Sequence, residues 1–224
     1  MSHISRISGT SHNAISLRTV LSSLALLLVT PLIGCLSSPK HSLSDLTNKN
    51  IVLVEPRHER VLKLQRPEWS QFASAATLRR EENQINNALG TWGMSIAGRF
   101  LGSLAATLRK GGLAVVLEPQ EEYGALIRSH LTAGFVFKTP MSNTYVPFVQ
   151  VSLGAFLPNG ARPYYQLYVA TDRPFHFLMA SIPAYTPYVF SEIESLRTER
   201  EKALDALGVL AAQLGQQFGA ELIA

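Results

Sequence analysis

Two apolar stripes at helical spacing leave this chain few ways to fold. Between Glu81 and Lys110 the apolar positions are Ile85, Leu89, Trp92, Ile96, Phe100, Leu104 and Leu108. A second stripe holds Ile193, Leu196, Ala203, Leu207, Leu210, Leu214, Phe218 and Leu222. Steps of three and four put each set on one side of a helix. Such a side must be buried against another element. The opposite face of the second helix carries Glu199, Lys202, Asp205, Gln213 and Gln217. Ser191 and Glu194, just ahead of it, fit a capping box.

The covering surface is written between the two stripes. Residues 134–170 read as β structure, where "YVPFVQVSLGAFL" and "YYQLYVATD" flank "PNGARP". The Asn159-Gly160 pair suits a tight turn. Val149, Val151, Leu153 and Ala155 line one face, and Tyr165, Leu167 and Val169 continue that alternation. "NIVLVEP" (50–56) and Leu113 to Leu117, after a glycine stop, are further strands. Residues 57–80 are mixed, with Trp69 and Phe72 as anchors. Leu126, Ile127 and Leu131 predict a short helix over 121–132. Beyond Pro174 a strand and then an extended segment are expected, and Pro183 and Pro187 argue against a central strand. The expected fold is α+β: a small, mostly antiparallel sheet packed by two long amphipathic helices, forming one domain over 50–224.

The start of the chain follows other rules. Hydrophobic content of 46% and charged content of 16% exclude a disordered chain. Two of the 20 basic residues, Arg6 and Arg18, precede Cys35, and no acidic residue does. The remainder is close to neutral, which argues against a nucleic-acid partner. Residues 20–33 are mostly apolar but shorter than the roughly 20 residues that span a bilayer. A positive start, a short apolar run and a small residue at a boundary mark a secretory signal.

That boundary reads Leu32-Ile33-Gly34-Cys35, and Cys35 is the only cysteine. The tetrad resembles the lipobox of bacterial lipoproteins. The resemblance implies a signal peptide over 1–34, cleavage before Cys35, and acyl chains on its sulfur and new amino group. Each buried methylene contributes about 0.8 kcal/mol, so several chains hold firmly where one holds weakly. Residues 35–49, rich in Ser, Asn and Lys, read as a lipidated flexible tether. Leu36 stands where lipoproteins retained in the inner membrane commonly carry aspartate. The resemblance therefore implies the outer membrane, with the domain facing the periplasm.

Residues that carry chemistry are sparse. "GMSIAG" (93–98) has one residue too many for a nucleophile elbow and lies in a helical pattern, so Ser95 reads as a helix serine. "SSPK" (37–40) has Ser-x-x-Lys spacing but lies in the tether. His41, His58, His130 and His176 are isolated from one another, and with one cysteine no thiolate zinc pattern exists. No metal or other cofactor is implied. Asp172 and Arg173 read as a turn pair, and Glu81, Glu82, Glu121 and Glu122 as a solvated face. Gly98 and Gly102 predict a close approach of their helix to the sheet or to another helix.

Tyr164, Tyr165, Tyr168, Phe175, Phe177, Tyr185 and Tyr188, with Phe190, crowd into 27 positions. They form either an interaction surface or part of the core. The element order, with stretches such as "IAGRFLGSLAATLRKGGLAVV", is similar to auxiliary lipoproteins of envelope transporters and activators of cell-wall synthases. The resemblance carries over no functional residue. It implies a non-enzymatic accessory that binds an envelope protein and meets the membrane through Cys35. A carrier of a lipid or other apolar ligand, enclosed between helices and sheet, is the alternative. A hydrolase is the third, and it requires Ser95 or another hydroxyl to meet His130 or His176.

In the bacterial host, mass spectrometry of the N-terminal peptide should find Cys35 as first residue carrying acyl mass. Cys35→Ala should lack that mass. An unacylated, uncleaved wild-type chain would refute the lipobox.

Overall fold

The computed structural model describes residues 43–46, 49–59, 62–65, 75–90, 92–118, 122–137, 144–171, 180–183 and 186–224. Trp69, Phe72, Asp172 and Arg173 lie outside them. Eight strands are described: β1 (Asn50–Leu53), β2 (Arg57–His58), β3 (Lys63–Gln65), β4 (Ala114–Val116), β5 (Ala125–Phe137), β6 (Tyr145–Phe156), β7 (Tyr164–Thr171) and β8 (Ala180–Pro183). The described helices are α1 (Ala75–Leu89), α2 (Trp92–Lys110), α3 (Ile193–Thr198) and α4 (Arg200–Ile223).

The sheet runs β4-β1-β5-β6-β7-β8, with β2 and β3 also pairing β5. The class is α+β, as the patterning requires, but the sheet is mixed. Its two long central pairings, β5 with β6 and β6 with β7, are antiparallel. The short pairings around them are parallel. β1, β2 and β3 dock one after another along β5, at Ala125, His130 and Gly134. At Gly134 a Cβ would collide with the Lys63 carbonyl, so only glycine admits β3 there. α1 satisfies the outward backbone of this segment. Asn86 Oδ1 accepts from the Leu62 amide at 2.7 Å, and Glu82 Oε1 accepts from the Leu64 amide at 3.0 Å. Glu82 is thus an edge cover, a device against strand pairing with strangers.

Of the helix expected over 121–132, residues 125–132 belong to β5 instead. Burial alternates from Ala125 to Ala133, the period of a strand with two differently covered faces. Leu126, Ile127 and Leu131 match a helical spacing only when the residues between them are ignored. The phase of β7 also differs from expectation. Val151 pairs Tyr168 and Ala155 pairs Tyr164, so even positions of β7 share the face of odd positions in β6. Gly160 (φ 81°) sits in the connecting turn, which sets this register.

The first apolar stripe is buried throughout, from Ile85 to Leu108. It spans two helices rather than one, because Gly90 (φ 65°) ends α1. α2 stops at Gly112 (φ 85°), where the Leu113 amide returns to the Leu108 carbonyl at 3.1 Å and the Gly112 amide to Arg109 at 3.0 Å. These two bonds are a Schellman stop. At the second stripe, Glu192 and Ser195 take the places assigned to Ser191 and Glu194. The Glu192 amide donates to Ser195 Oγ at 3.3 Å, while Glu194 pairs Arg197 at 2.8 Å. The helical stripe is interrupted at Glu199, between α3 and α4.

α2 and α4 lie together on one face of the sheet, against Val149, Val151, Leu153 and Ala155. Their contact runs through glycines of α4. A Cβ at Gly215 would strike the Phe100 carbonyl and the Leu104 amide nitrogen, and one at Gly219 would strike Thr107. Ser103 Oγ donates to the Ala212 carbonyl at 2.8 Å across the contact. Phe100 and Phe218 meet edge to face at 6.1 Å, worth about 0.5–1.5 kcal/mol beyond burial. Gly98 and Gly102 do not make the expected close approach: nothing lies within 4 Å of a Cβ built on either. Leu43, in a 3-10 turn at Leu43–Leu46, is buried in this same core, upstream of the Asn50 start that composition implies.

Gly215→Leu should therefore lower stability by about 1–3 kcal/mol through overpacking. Gly102→Ala should raise it by about 0.5–1 kcal/mol, since exposed helical glycine only costs entropy. Urea unfolding of both variants checks the pair, and equal effects would refute the glycine contact.

Candidate functional site

The opposite face of the sheet is where chemistry gathers. Strand register sets its residues in rows. Val52, Leu126 and Phe156 form an apolar row. Arg128, Gly154 and Tyr165 form the next. Arg57, His130, Ser152 and Leu167 form the third. Together with Val54, Glu55, Tyr123 and Ser129, most of these line an open groove of about 640 Å³.

Gly154 shapes its floor. A Cβ there would meet Phe156 ring carbons at 3.1 and 3.3 Å and a Tyr165 carbon at 3.6 Å. Without one, both rings lie over the backbone. The Arg128 guanidinium sits 5.7 Å from the Phe156 ring centroid, and Arg162 sits 4.6 Å from that of Tyr165. Both are within cation–π range. Arg57 and Arg128 have no carboxylate partner among the described residues, although Glu55 shares the lining. Arg128 and His130 are exposed, and Tyr165 is 48% exposed.

His130 and Ser152 are direct cross-strand partners, yet no hydrogen bond joins them. Ser95 is exposed on α2, and His176 lies outside the described residues. His58 points to the helix side, edge-on to Trp92 at 6.2 Å, with its Nδ1 buried and unpaired among the described residues. Its ring leaves no room for a Cβ at Gly93. Among the described residues no cluster of His, Cys, Asp or Glu could hold a metal ion. No described helix is long and apolar enough to cross a membrane.

The aromatic residues singled out from the sequence are divided by the sheet. Tyr164 and Tyr168 face α4, where their hydroxyls donate to the two oxygens of Glu221 at 2.8 and 2.6 Å. Burial first, and then this carboxylate, push both phenols above their ordinary range. Tyr165 faces the groove. Tyr188 donates to Asp205 Oδ2 at 3.0 Å, beside the 2.7 Å ion pair from Arg99 to Asp205 Oδ1. Phe175, Phe177 and Tyr185 lie outside the described residues, as does Cys35. Among the described members of the expected set, only Tyr165 is brought to the groove. Arg57, Leu126, Arg128, Gly154 and Phe156 were not singled out as site residues from the sequence. The alternation of Leu126, Arg128 and His130 was the available signal.

No family model and no curated protein matches the chain. Solved structures to which it is similar include a minor lipoprotein from Acinetobacter baumannii, with 10% identity and a TM-score of 0.42 over 78% of this chain and 90% of that one. Protein XCC0632 from Xanthomonas campestris is similar at 7% identity and a TM-score of 0.40, over 82% and 87%. Lipoprotein GNA1162 from Neisseria meningitidis is similar at 15% identity and a TM-score of 0.32, over 58% and 86%.

The Arg99 hydrogen bond and charge hold Asp205 below its usual carboxylate range. Its contribution is full above the unfolded pKa near 4 and is lost as pH falls through the lower folded value. The pair is half exposed, so the effect should stay within about 1 kcal/mol. Asp205→Asn should flatten the stability–pH curve below about pH 4 by that amount in acid titrations. An unchanged slope would refute the assignment.

Proposed function

We propose that this chain is a lipid-anchored, non-enzymatic component of the bacterial cell envelope whose open sheet face binds its partner. Cys35 is its anchor, residues 1–34 its cleaved signal, and the outer membrane its site, with the domain in the periplasm. The observation that carries this reading is the inequality of the sheet's two faces. One is sealed by α2 and α4 around a buried core. The other exposes Arg128, His130 and Tyr165 around a groove. Guanidinium groups with no carboxylate partner among the described residues, beside the exposed Tyr165 ring, are the composition of a binding surface.

The hydrolase alternative draws no support from the groove, where His130 and Ser152 are not hydrogen bonded. The ligand-carrier alternative draws support from it. A volume of about 640 Å³ falls in the range of small-molecule sites. The space lies outside the helix–sheet interface rather than within it.

In the native host, a deletion strain should lose envelope integrity, read as detergent sensitivity. Wild-type chain and Gly102→Ala should restore it. Cys35→Ala and the double variant Arg57→Glu, Arg128→Glu should not. Full rescue by the double variant would exclude the groove as the working surface.

A further inference from the structure

Polarity changes along the groove in one direction. β5 presents Leu126, then Arg128, then His130 to it, at alternate positions. Alternate residues of a strand stand about 7 Å apart on one face. Neighbouring strands repeat the change row by row: Val52 and Phe156 flank Leu126, and Arg57 and Ser152 flank His130. One end is therefore apolar and the other cationic with a hydroxyl and an imidazole. Two guanidinium groups face one carboxylate, Glu55, so the lining is net positive.

We infer that the groove takes a single-chain anionic amphiphile, its acid group between Arg57 and Arg128 and its tail over Leu126 and Phe156. Charge complementarity supplies the head preference. A guanidinium presents paired donors in a fork that matches a carboxylate or phosphate edge. Stacking on Phe156 limits how far Arg128 can swing. Leu126 and Phe156 supply the tail surface, with the buried Val52 beside Leu126, and Gly154 keeps the passage between the two ends shallow. The head comes from either of two sources, a fatty-acid carboxylate or the phosphate of a lysophospholipid. The assignment rests on the proposed role of the open face and names the ligand class of that same surface.

The test uses the full chain in isolated membranes, irradiated with a palmitic acid that carries a diazirine in its tail. Crosslinks should map to residues 122–156, apart from any at the acylated N-terminus. The matching diazirine alcohol, with the same tail and no charge, should label that region about tenfold less. Arg57→Gln with Arg128→Gln should reduce acid labelling by a similar factor and leave alcohol labelling unchanged. Leu126→Gln should reduce both. Competition by palmitate alone assigns the carboxylate source, and competition by lysophosphatidylglycerol the phosphate source.

Equal labelling by acid and alcohol would overturn the assignment. So would displacement by acetate or inorganic phosphate at the concentrations at which palmitate acts, or labelling that avoids 122–156. Thermal melting of the variants guards against misfolding, and Arg57→Lys with Arg128→Lys keeps the charge where the glutamines perturb packing. If the charge-reversed chain fails to restore envelope integrity while wild type takes no acid label, the ligand class is wrong and the binding face stands.

Discussion

Everything on the helix side depends on how closely α2 and α4 can lie. Helices carrying ordinary side chains sit 8–10 Å apart. Gly215 and Gly219 leave no Cβ between the two backbones, where Phe100, Leu104 and Thr107 stand opposite. The pair can then act as one layer, wide enough to cover β1, β5, β6 and β7 together. A bulkier contact would splay the helices and open the core along Phe100 and Phe218. Because this layer satisfies one face of the sheet, Arg128, His130 and Tyr165 on the other face can stay exposed. Farther along that face Val136, Val146, Phe148 and Val169 form a second buried cluster.

β5 performs the corresponding service within the sheet. It is the longest strand, and three short segments share one of its edges while β6 takes the other. All three run parallel to β5, and the breaks between them let the chain leave the ladder and return to it with extra residues. Arg57 reaches the open face and His58 the helix face as neighbours in the two-residue strand β2. The groove is built where these breaks meet the central antiparallel strands.

How much of this was legible depends on the period of each pattern. The stripes from Ile85 to Leu108 and from Leu196 to Leu222 repeat often enough that burial followed directly from spacing. Val149 to Ala155 were legible for the same reason. Over 121–132 the pattern is short, and three aliphatic residues suit either period. The phase of β7 was hidden because register depends on the geometry of the turn around Gly160, not on composition. Gly98 and Gly102 have the same four-residue spacing as Gly215 and Gly219, yet which glycines touch is a property of helix orientation. The groove was least legible of all. Leu126, Arg128, Gly154 and Tyr165 come from three strands, and only strand register makes them neighbours.

The docking of β1, β2 and β3 on β5 has a consequence for how the chain comes into being. Both α1 and α2, with β4, separate those first strands from the strand that receives them. Pairing of that kind is non-local and slow, since a long loop must close before any contact repays it. A chain delivered N-terminus first presents Ile51, Val52 and Leu53 long before Ala125 to Ile127 arrive. Until then an aliphatic strand edge stands uncovered. Its safe passage is a matter of timing, and shielding of the leading segment until β5 arrives would raise the yield of folded protein.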